Sequence, residues 1–538
     1  MSLDTECPHD GSNVDAVRTA GVGGDHRVVS GGPSFDRLPF AGFELVPTRR
    51  EDAVHLLRGD GRAVDDESDV VVRQEVDDDT NGLRDKVAVG RRIRLDRVGK
   101  IERVAGWDEE DGSADDGDER DGEQQVGDAV SGRGHGRDAT ADDDERRPDV
   151  RYRSGVHFNP ILEQLGSYPI ADIRARAAAR EEQGLPVIDF SIGDPREPTP
   201  DFIAQALKDG VTEVSQYPTT AGKRELRQAI AGYVARRHGV MVDPETQIIP
   251  TSGSKEAIFN TAFAFIDKDA RDLVVFPSPG YPVYERGALF AGAELYRVVL
   301  DGDFVLRASD IPREVWDRAR LVWICTPHNP AGSVTTADEL RDLVAACRAN
   351  DALLLSDECY ADTYEDEEYP EGPASVLQVA GDGLADVLVY LSLSKRSGMT
   401  GYRSGAIVGD PRAIAALKDL RSSTGTASAD FVQAAAIAAW NDDGHAADRR
   451  AIFTAKRRIL ERAFLEVGME IIASRAGLYL WVLVGDDLGV TNTLLEHGIV
   501  VSPGTSFGEG GEGYIRLALV PGLDECEAAA DALREALA

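Results

Sequence analysis

The chain has 538 residues, is 42% apolar and 29% charged, and carries a formal net charge of −36. That length exceeds one ordinary domain and predicts two or three units. The acid excess excludes non-specific nucleic-acid binding, and no apolar run reaches the roughly 18 residues needed to span a bilayer.

Residues 1–152 read as a low-complexity acidic extension. About −17 of the charge falls on residues 1–150 and about −19 on the rest, so the acidity is not one interaction block. Acidity on this scale suits a high-salt cytoplasm, where salt screens self-repulsion. Equal unfolding midpoints in dilute buffer and in molar salt would rule that reading out. The run 108–149 is mostly Asp, Glu, Gly, Ser and Arg. It cannot bury enough apolar surface to offset its chain entropy. The extension is therefore expected to be mostly disordered, or to reflect a start codon placed too early. Because 70–72 and 91–100 can form short strands, a small accessory domain is the other reading. There is no helix-turn-helix pattern, zinc spacing or phosphate loop here. The start, MSLDTECPHDG, lacks the basic and apolar regions of a signal peptide. The five cysteines of the chain show neither disulfide nor metal-ligand spacing. A cytoplasmic protein without a metal centre is expected.

The texture changes after residue 152. Residues 153–195 read as an N-terminal arm and part of a small domain, with a helix at 170–183 and a strand at 187–192. That strand ends in Gly193-Asp194-Pro195. A helix at 200–208 has Asp201 in its first turn, where negative charge is favoured. The turn cluster 216–222, with Tyr217 in it, precedes a helix at 223–238. Strands are then predicted at 247–250, 272–276, 295–299, 321–325, 353–356, 387–393 and 406–409. Helices at 255–266, 284–291, 336–349 and 412–423 fall between them. Runs apolar on both faces and separated by helices predict an α/β fold, with a mostly parallel seven-stranded sheet sandwiched by helices over residues 196–435. A long helical region from 434 leads into an α+β tail, so 436–538 is expected as a smaller α+β domain.

The stretch 387–409, VLVYLSLSKRSGMTGYRSGAIVG, stands out. A buried strand breaks into a Ser/Gly loop that carries Ser392, Lys395 and Arg403. Ligands of open α/β sheets bind at the C-terminal ends of strands. A desolvated lysine there is a nucleophile for a carbonyl, giving a Schiff base. Other polar groups come after other strands. Gly253 and Ser254 open a helix whose free N–H groups suit phosphate, although hydroxyl residues just ahead of Glu256 also fit an ordinary capping box. Asp357 ends a buried strand, where a carboxylate calls for a cationic partner unless it caps the next segment. Tyr281 can stack on a ring or simply pack. His328 reads as a loop residue beside the site. Arg516 is a lone cation in an apolar strand, and its planar fork suits a carboxylate.

Taken together, Ser392-x-Ser394-Lys395, Gly401-x-Arg403-x-Gly405, Thr326-Pro327-His328-Asn329-Pro330-Ala331-Gly332 and Asp357-Glu358-Cys359-Tyr360 resemble the class I, fold-type I, pyridoxal-phosphate aminotransferases. The resemblance runs along residues 155–538. It implies pyridoxal 5'-phosphate as cofactor and Lys395 as the lysine that bonds it, with Asp357 on its ring nitrogen. Asn329 and Tyr360 would contact its phenolic oxygen, and Tyr281 its ring. Gly253, Ser254, Ser392 and Arg403 would hold its phosphate. Arg516, with Asn329 and the backbone near Gly193, would bind the substrate carboxylate. Tyr217 would reach the phosphate of a neighbouring subunit, implying a two-fold dimer with shared sites. Catalytic roles fall on Lys395, Asp357 and Tyr360. The substrates would be an amino acid, with glutamate as donor, and a 2-oxo acid. Ser191 to Pro195, Tyr217 to Gly222 and the Lys395-Arg396 pair look closest to N-succinyldiaminopimelate aminotransferases. Arg396 then suggests a contact to a substrate side-chain carboxylate. A lyase or decarboxylase on the same scaffold, and a non-catalytic cofactor-binding regulator, are the competing readings.

Overall fold

The computed structural model describes residues 157–165 and 170–538, together with three strands further upstream. The chain divides into two units, 1–143 and 144–538. In the first, Val70–Val76 and Val87–Leu95 pair antiparallel, Val70 opposite Ile93, and Ile101–Glu102 adds a third strand. These Val-rich runs have the β-branched content that strands favour. The expected strand at 70–72 lies in the first of them. Of the expected strand at 91–100, residues 91–95 lie in the second and the remainder lies outside the described residues. So does most of the expected disordered extension.

In the second unit, seven strands form the main sheet. They are β1 (Ile248–Thr251), β2 (Leu273–Ser278), β3 (Glu294–Val299), β4 (Ala319–Cys325), β5 (Leu353–Asp357), β6 (Val387–Ser392) and β7 (Gly405–Gly409). Their spatial order is β1-β7-β6-β5-β4-β2-β3. The pairings β6–β5, β5–β4, β4–β2 and β2–β3 are parallel. Strand β7 runs antiparallel to both neighbours. All seven predicted strands are present. The 393–404 connection holds only the four-residue helix Leu393–Arg396, and β7 returns antiparallel beside β6.

Alternation within each strand feeds two cores. Val387, Val389 and Leu391 join Ile230, Tyr233, Leu343 and Trp440 on one face. Leu388 and Tyr390 join Ile258, Tyr284, Trp323 and Leu417 on the other. Each fully buried Val or Leu contributes about 1.5–3 kcal/mol, which is why these strands are apolar on both faces. Helix Asp430–Trp440 runs across the expected junction at 435–436, with Ala435, Ala436 and Trp440 in the first core.

The predicted strand at 187–192 is shorter, Ile188–Asp189, and pairs in parallel with Ile499–Val500. Beside it lies a four-stranded antiparallel sheet in the order Glu470–Ile471, Tyr479–Leu483, Tyr514–Ala518, Ser502–Pro503. The N-terminal arm is thus joined to the C-terminal part of the chain. No helix among the described residues is long and apolar enough to cross a membrane.

Candidate active site

Parallel strands place their C-terminal ends along one edge, and the polar residues singled out from the sequence gather there. Strand β6 ends at Ser392, whose Oγ accepts from the Ser394 N–H at 3.1 Å and caps the short helix Leu393–Arg396. That turn carries Lys395. Its Nζ donates to the Gly193 carbonyl oxygen, a contact between residues far apart in sequence. Burial pulls the Lys395 amine down to about 8, and Arg403 and Arg516 add to this, whereas Asp194 and Cys359 oppose it. Losing solvent penalises the ammonium more than the amine.

Asp357, at the end of β5, is 4% exposed. Its Oδ2 accepts from the Tyr284 hydroxyl at 2.7 Å and its Oδ1 from the Cys359 N–H at 3.2 Å. Tyr284 is itself held by stacking on Trp323, with centroids 4.8 Å apart. Burial raises the Asp357 carboxyl, and the Cys359 and Tyr284 hydrogen bonds work against that rise. No cation pairs with it among the described residues. A buried carboxylate without a counter-charge is costly, and a protonated ring nitrogen would supply one.

Ser392 lies opposite Gly405 on β7, and Gly405 lies opposite Thr251 on β1. This brings the start of helix Ser254–Phe265 alongside the lysine turn. Gly253 caps that helix at φ 84°, and a Cβ there would sit 2.6 Å from an Arg403 Nη atom. Arg403 adopts φ 55°, a left-handed conformation rare outside glycine. It donates to the Thr400 carbonyl at 2.8 Å and stays exposed at the helix start. An open helix N-terminus, two hydroxyls and a guanidinium make a phosphate cradle in chemical kind. The residues fit the cofactor: a cradle that a side chain at 253 would fill, a buried unpaired carboxylate and a deprotonatable amine.

Asn329 and Tyr360 lie at the same edge, both buried. Asn329 Oδ1 accepts from Arg516 Nη1 at 2.9 Å, and the Ser191 carbonyl accepts from Arg516 Nη2 at 2.7 Å. Arg516 is 7% exposed, its Nε has no partner, and no carboxylate pairs with it among the described residues. Tyr281 packs edge-on against Tyr284 at 5.6 Å. Tyr217 is fully exposed in the single chain.

His328 takes its expected place in the turn beside Asn329, but it is 2% exposed, and burial lowers its imidazole to about 3. Arg396 does not point toward substrate. It is buried against Asp362 at 2.8 Å and Asp443 at 2.6 Å, and donates to the Ala439 and Asp442 carbonyls. Neighbours on a helix face different ways, so the residue after the lysine turns into the helix layer. Sequence reasoning missed Tyr284 and Tyr479. Tyr479 lies in an apolar strand, yet its hydroxyl is 2.7 Å from that of Tyr360.

Known proteins share this arrangement of the chain. Residues 186–533 match the family described as aminotransferase class I and II. The LL-diaminopimelate aminotransferase 2 of Trichormus variabilis is 36% identical over 377 residues, covering 68% of this chain and 94% of that relative. The LL-diaminopimelate aminotransferase of Aquifex aeolicus is 35% identical over 372 residues, covering 67% and 94%. Among solved structures, an aminotransferase from Neisseria meningitidis superposes with a TM-score of 0.66 at 33% identity, covering 71% of this chain and all of that one. A probable N-succinyldiaminopimelate aminotransferase from Thermus thermophilus gives 0.64 at 26% identity, covering 69% and all of it.

Proposed function

Because this chain belongs to the class I and II aminotransferases, enzymes that use pyridoxal 5'-phosphate, we propose that it moves an amino group between LL-diaminopimelate and 2-oxoglutarate, in either direction, with glutamate and the 2-oxo acid of the diamino acid as the other pair. The observation that carries the chemistry is the pairing, at one sheet edge, of an amine held near 8 with a buried carboxylate lacking a counter-charge. The substrate reading rests on the curated relatives named for LL-diaminopimelate. This moves the favoured substrate from the N-succinyl compound to the free diamino acid.

Bound pyridoxal phosphate supplies an electron sink for the charge left on the substrate's α-carbon. The residues have these proposed roles. Lys395 holds the cofactor between turnovers, then takes the α-proton of the donor and returns one to the acceptor. Asp357 keeps the ring nitrogen protonated, and Tyr284 fixes that carboxylate. Tyr360 and Asn329 hydrogen-bond the phenolic oxygen, and Tyr281 packs on the ring. Gly253, Ser254, Ser392 and Arg403 hold the phosphate, and Tyr217 reaches that of a second subunit in a two-fold dimer. Arg516 and the backbone at Gly193 orient the α-carboxylate, so binding energy goes into alignment.

The test is glutamate formation from 2-oxoglutarate by the cofactor-loaded enzyme, with LL-diaminopimelate, its N-succinyl derivative and aspartate compared as donors. Highest kcat/KM with LL-diaminopimelate is expected. Preference for the succinylated compound or aspartate would overturn the substrate reading, and no glutamate from any amino acid would overturn transamination.

A further inference from the structure

We propose that Tyr479 is a positioning residue that joins the two halves of the site, its hydroxyl fixing Tyr360 and its ring face fixing Arg516. The proposal rests on the roles given above to Tyr360 and Arg516. Three contacts carry it. The Tyr479 and Tyr360 hydroxyls are 2.7 Å apart, with ring centroids at 5.4 Å. The Arg516 guanidinium carbon lies 4.3 Å from the Tyr479 ring centroid, and 4.4 Å from that of Phe507. A Cβ on Gly193 would fall 2.5 Å from the Tyr479 hydroxyl oxygen, so the backbone that meets Lys395 also packs on this phenol.

Each contact has a distinct consequence. Two phenols sharing one hydrogen bond divide the labour of donor and acceptor. With Tyr479 as donor, Tyr360 keeps its own O–H for a group outside the pair. Without it, the Tyr360 phenol is free to turn about its C–O bond. The ring contact works differently. Arg516 is held by two neutral acceptors and by aromatic faces, with no carboxylate competing for it among the described residues. Such a guanidinium is oriented before substrate arrives and has no ion pair to break when a carboxylate comes. Tyr479, 3% exposed, is central to both arrangements.

The experiment compares the cofactor-loaded full chain with Tyr479→Phe and Tyr479→Leu. Phenylalanine keeps the ring and removes the hydroxyl. It is expected to shift the pH midpoint of the bound cofactor's visible absorbance by about 0.5 unit or more and to lower kcat about tenfold, while KM for the amino acid stays within about twofold. Leucine removes both contacts and is expected to add about a tenfold rise in KM, the scale of a desolvated cation–ring contact. An unmoved midpoint with unchanged kcat in Tyr479→Phe would overturn the hydroxyl role. A KM in Tyr479→Leu equal to that of Tyr479→Phe would overturn the ring role. If leucine fails to fold, Tyr479→Met is read against the same two outcomes. The absorbance titration needs no turnover, so it still reports on Tyr479 if the proposed substrate is wrong.

Discussion

Lys395→Ala is expected to lower turnover by about 10⁴-fold, the upper end of what one positioned proton-transfer group supplies. The side chain is also the only amine seen at the Gly193 carbonyl among the described residues, so no neighbour takes over. Two physical readouts accompany the loss. Borohydride treatment of the loaded wild type should leave a cofactor mass on the peptide containing Lys395, and the variant should carry none. Cofactor uptake by the stripped wild-type protein should rise with pH through a midpoint near 8, because the attacking species is the neutral amine and burial has lowered its pKa. Lys395→Arg separates charge from chemistry. Arginine keeps the positive charge and cannot lose it near neutrality, so it should be as inactive as alanine. Turnover or a borohydride adduct retained in Lys395→Ala would refute the role of this residue.

The second large effect concerns the residue next to it. Arg396→Met is expected to destabilise the folded unit by about 3 kcal/mol, because it leaves buried charge unpaired. Arg396 and Asp362 have side chains only 3% and 7% exposed. Burial pushes the Asp362 carboxyl up, and Arg396 with Arg237 outweighs that and holds it below its usual value. Arg237, at 3.2 Å, and the Tyr233 hydroxyl, at 2.9 Å, would remain, which keeps the loss at the low end for a broken buried pair. The guanidinium also lies 5.0 Å from the Tyr233 ring centroid and 5.6 Å from that of Trp440, where methionine replaces the packing but not the charge. Urea unfolding measures the difference. Arg341→Met is the comparison, since the Arg341–Asp338 pair is exposed and such pairs contribute little. Equal midpoints for the two variants would show that the Arg396 network carries no stability.

The strand order of polar residues was largely legible, for a physical reason. Asp357 ends a strand buried on both faces, Lys395, Gly253 and Asn329 follow shortly after one, and such strands announce themselves by continuous apolar runs. The residues at their C-terminal ends are then confined to one sheet edge. The direction of β7 was not legible, because an apolar run reads the same from either end. Arg396 was misread because a motif likeness tells which residue follows the lysine but not where its side chain points, and one helical step turned it by about 100°. Tyr284 and Tyr479 were invisible for another reason. Their partners, Asp357 and Tyr360, lie 73 and 119 residues away, and an aromatic amid apolar neighbours looks like core until the fold closes.

The distances along the chain bear on how this protein is made. The Arg516 contact to Ser191 spans 325 residues, against 202 for the Lys395 contact to Gly193. At a synthesis rate of about 5–20 residues per second, the segment from Lys395 to Arg516 takes about 6–24 s to appear. Early in that interval β7 completes the seven strands of the main sheet, while the strand bearing Arg516 is still to come. The residues proposed to hold the cofactor are therefore all made before the residue proposed to orient the substrate carboxylate.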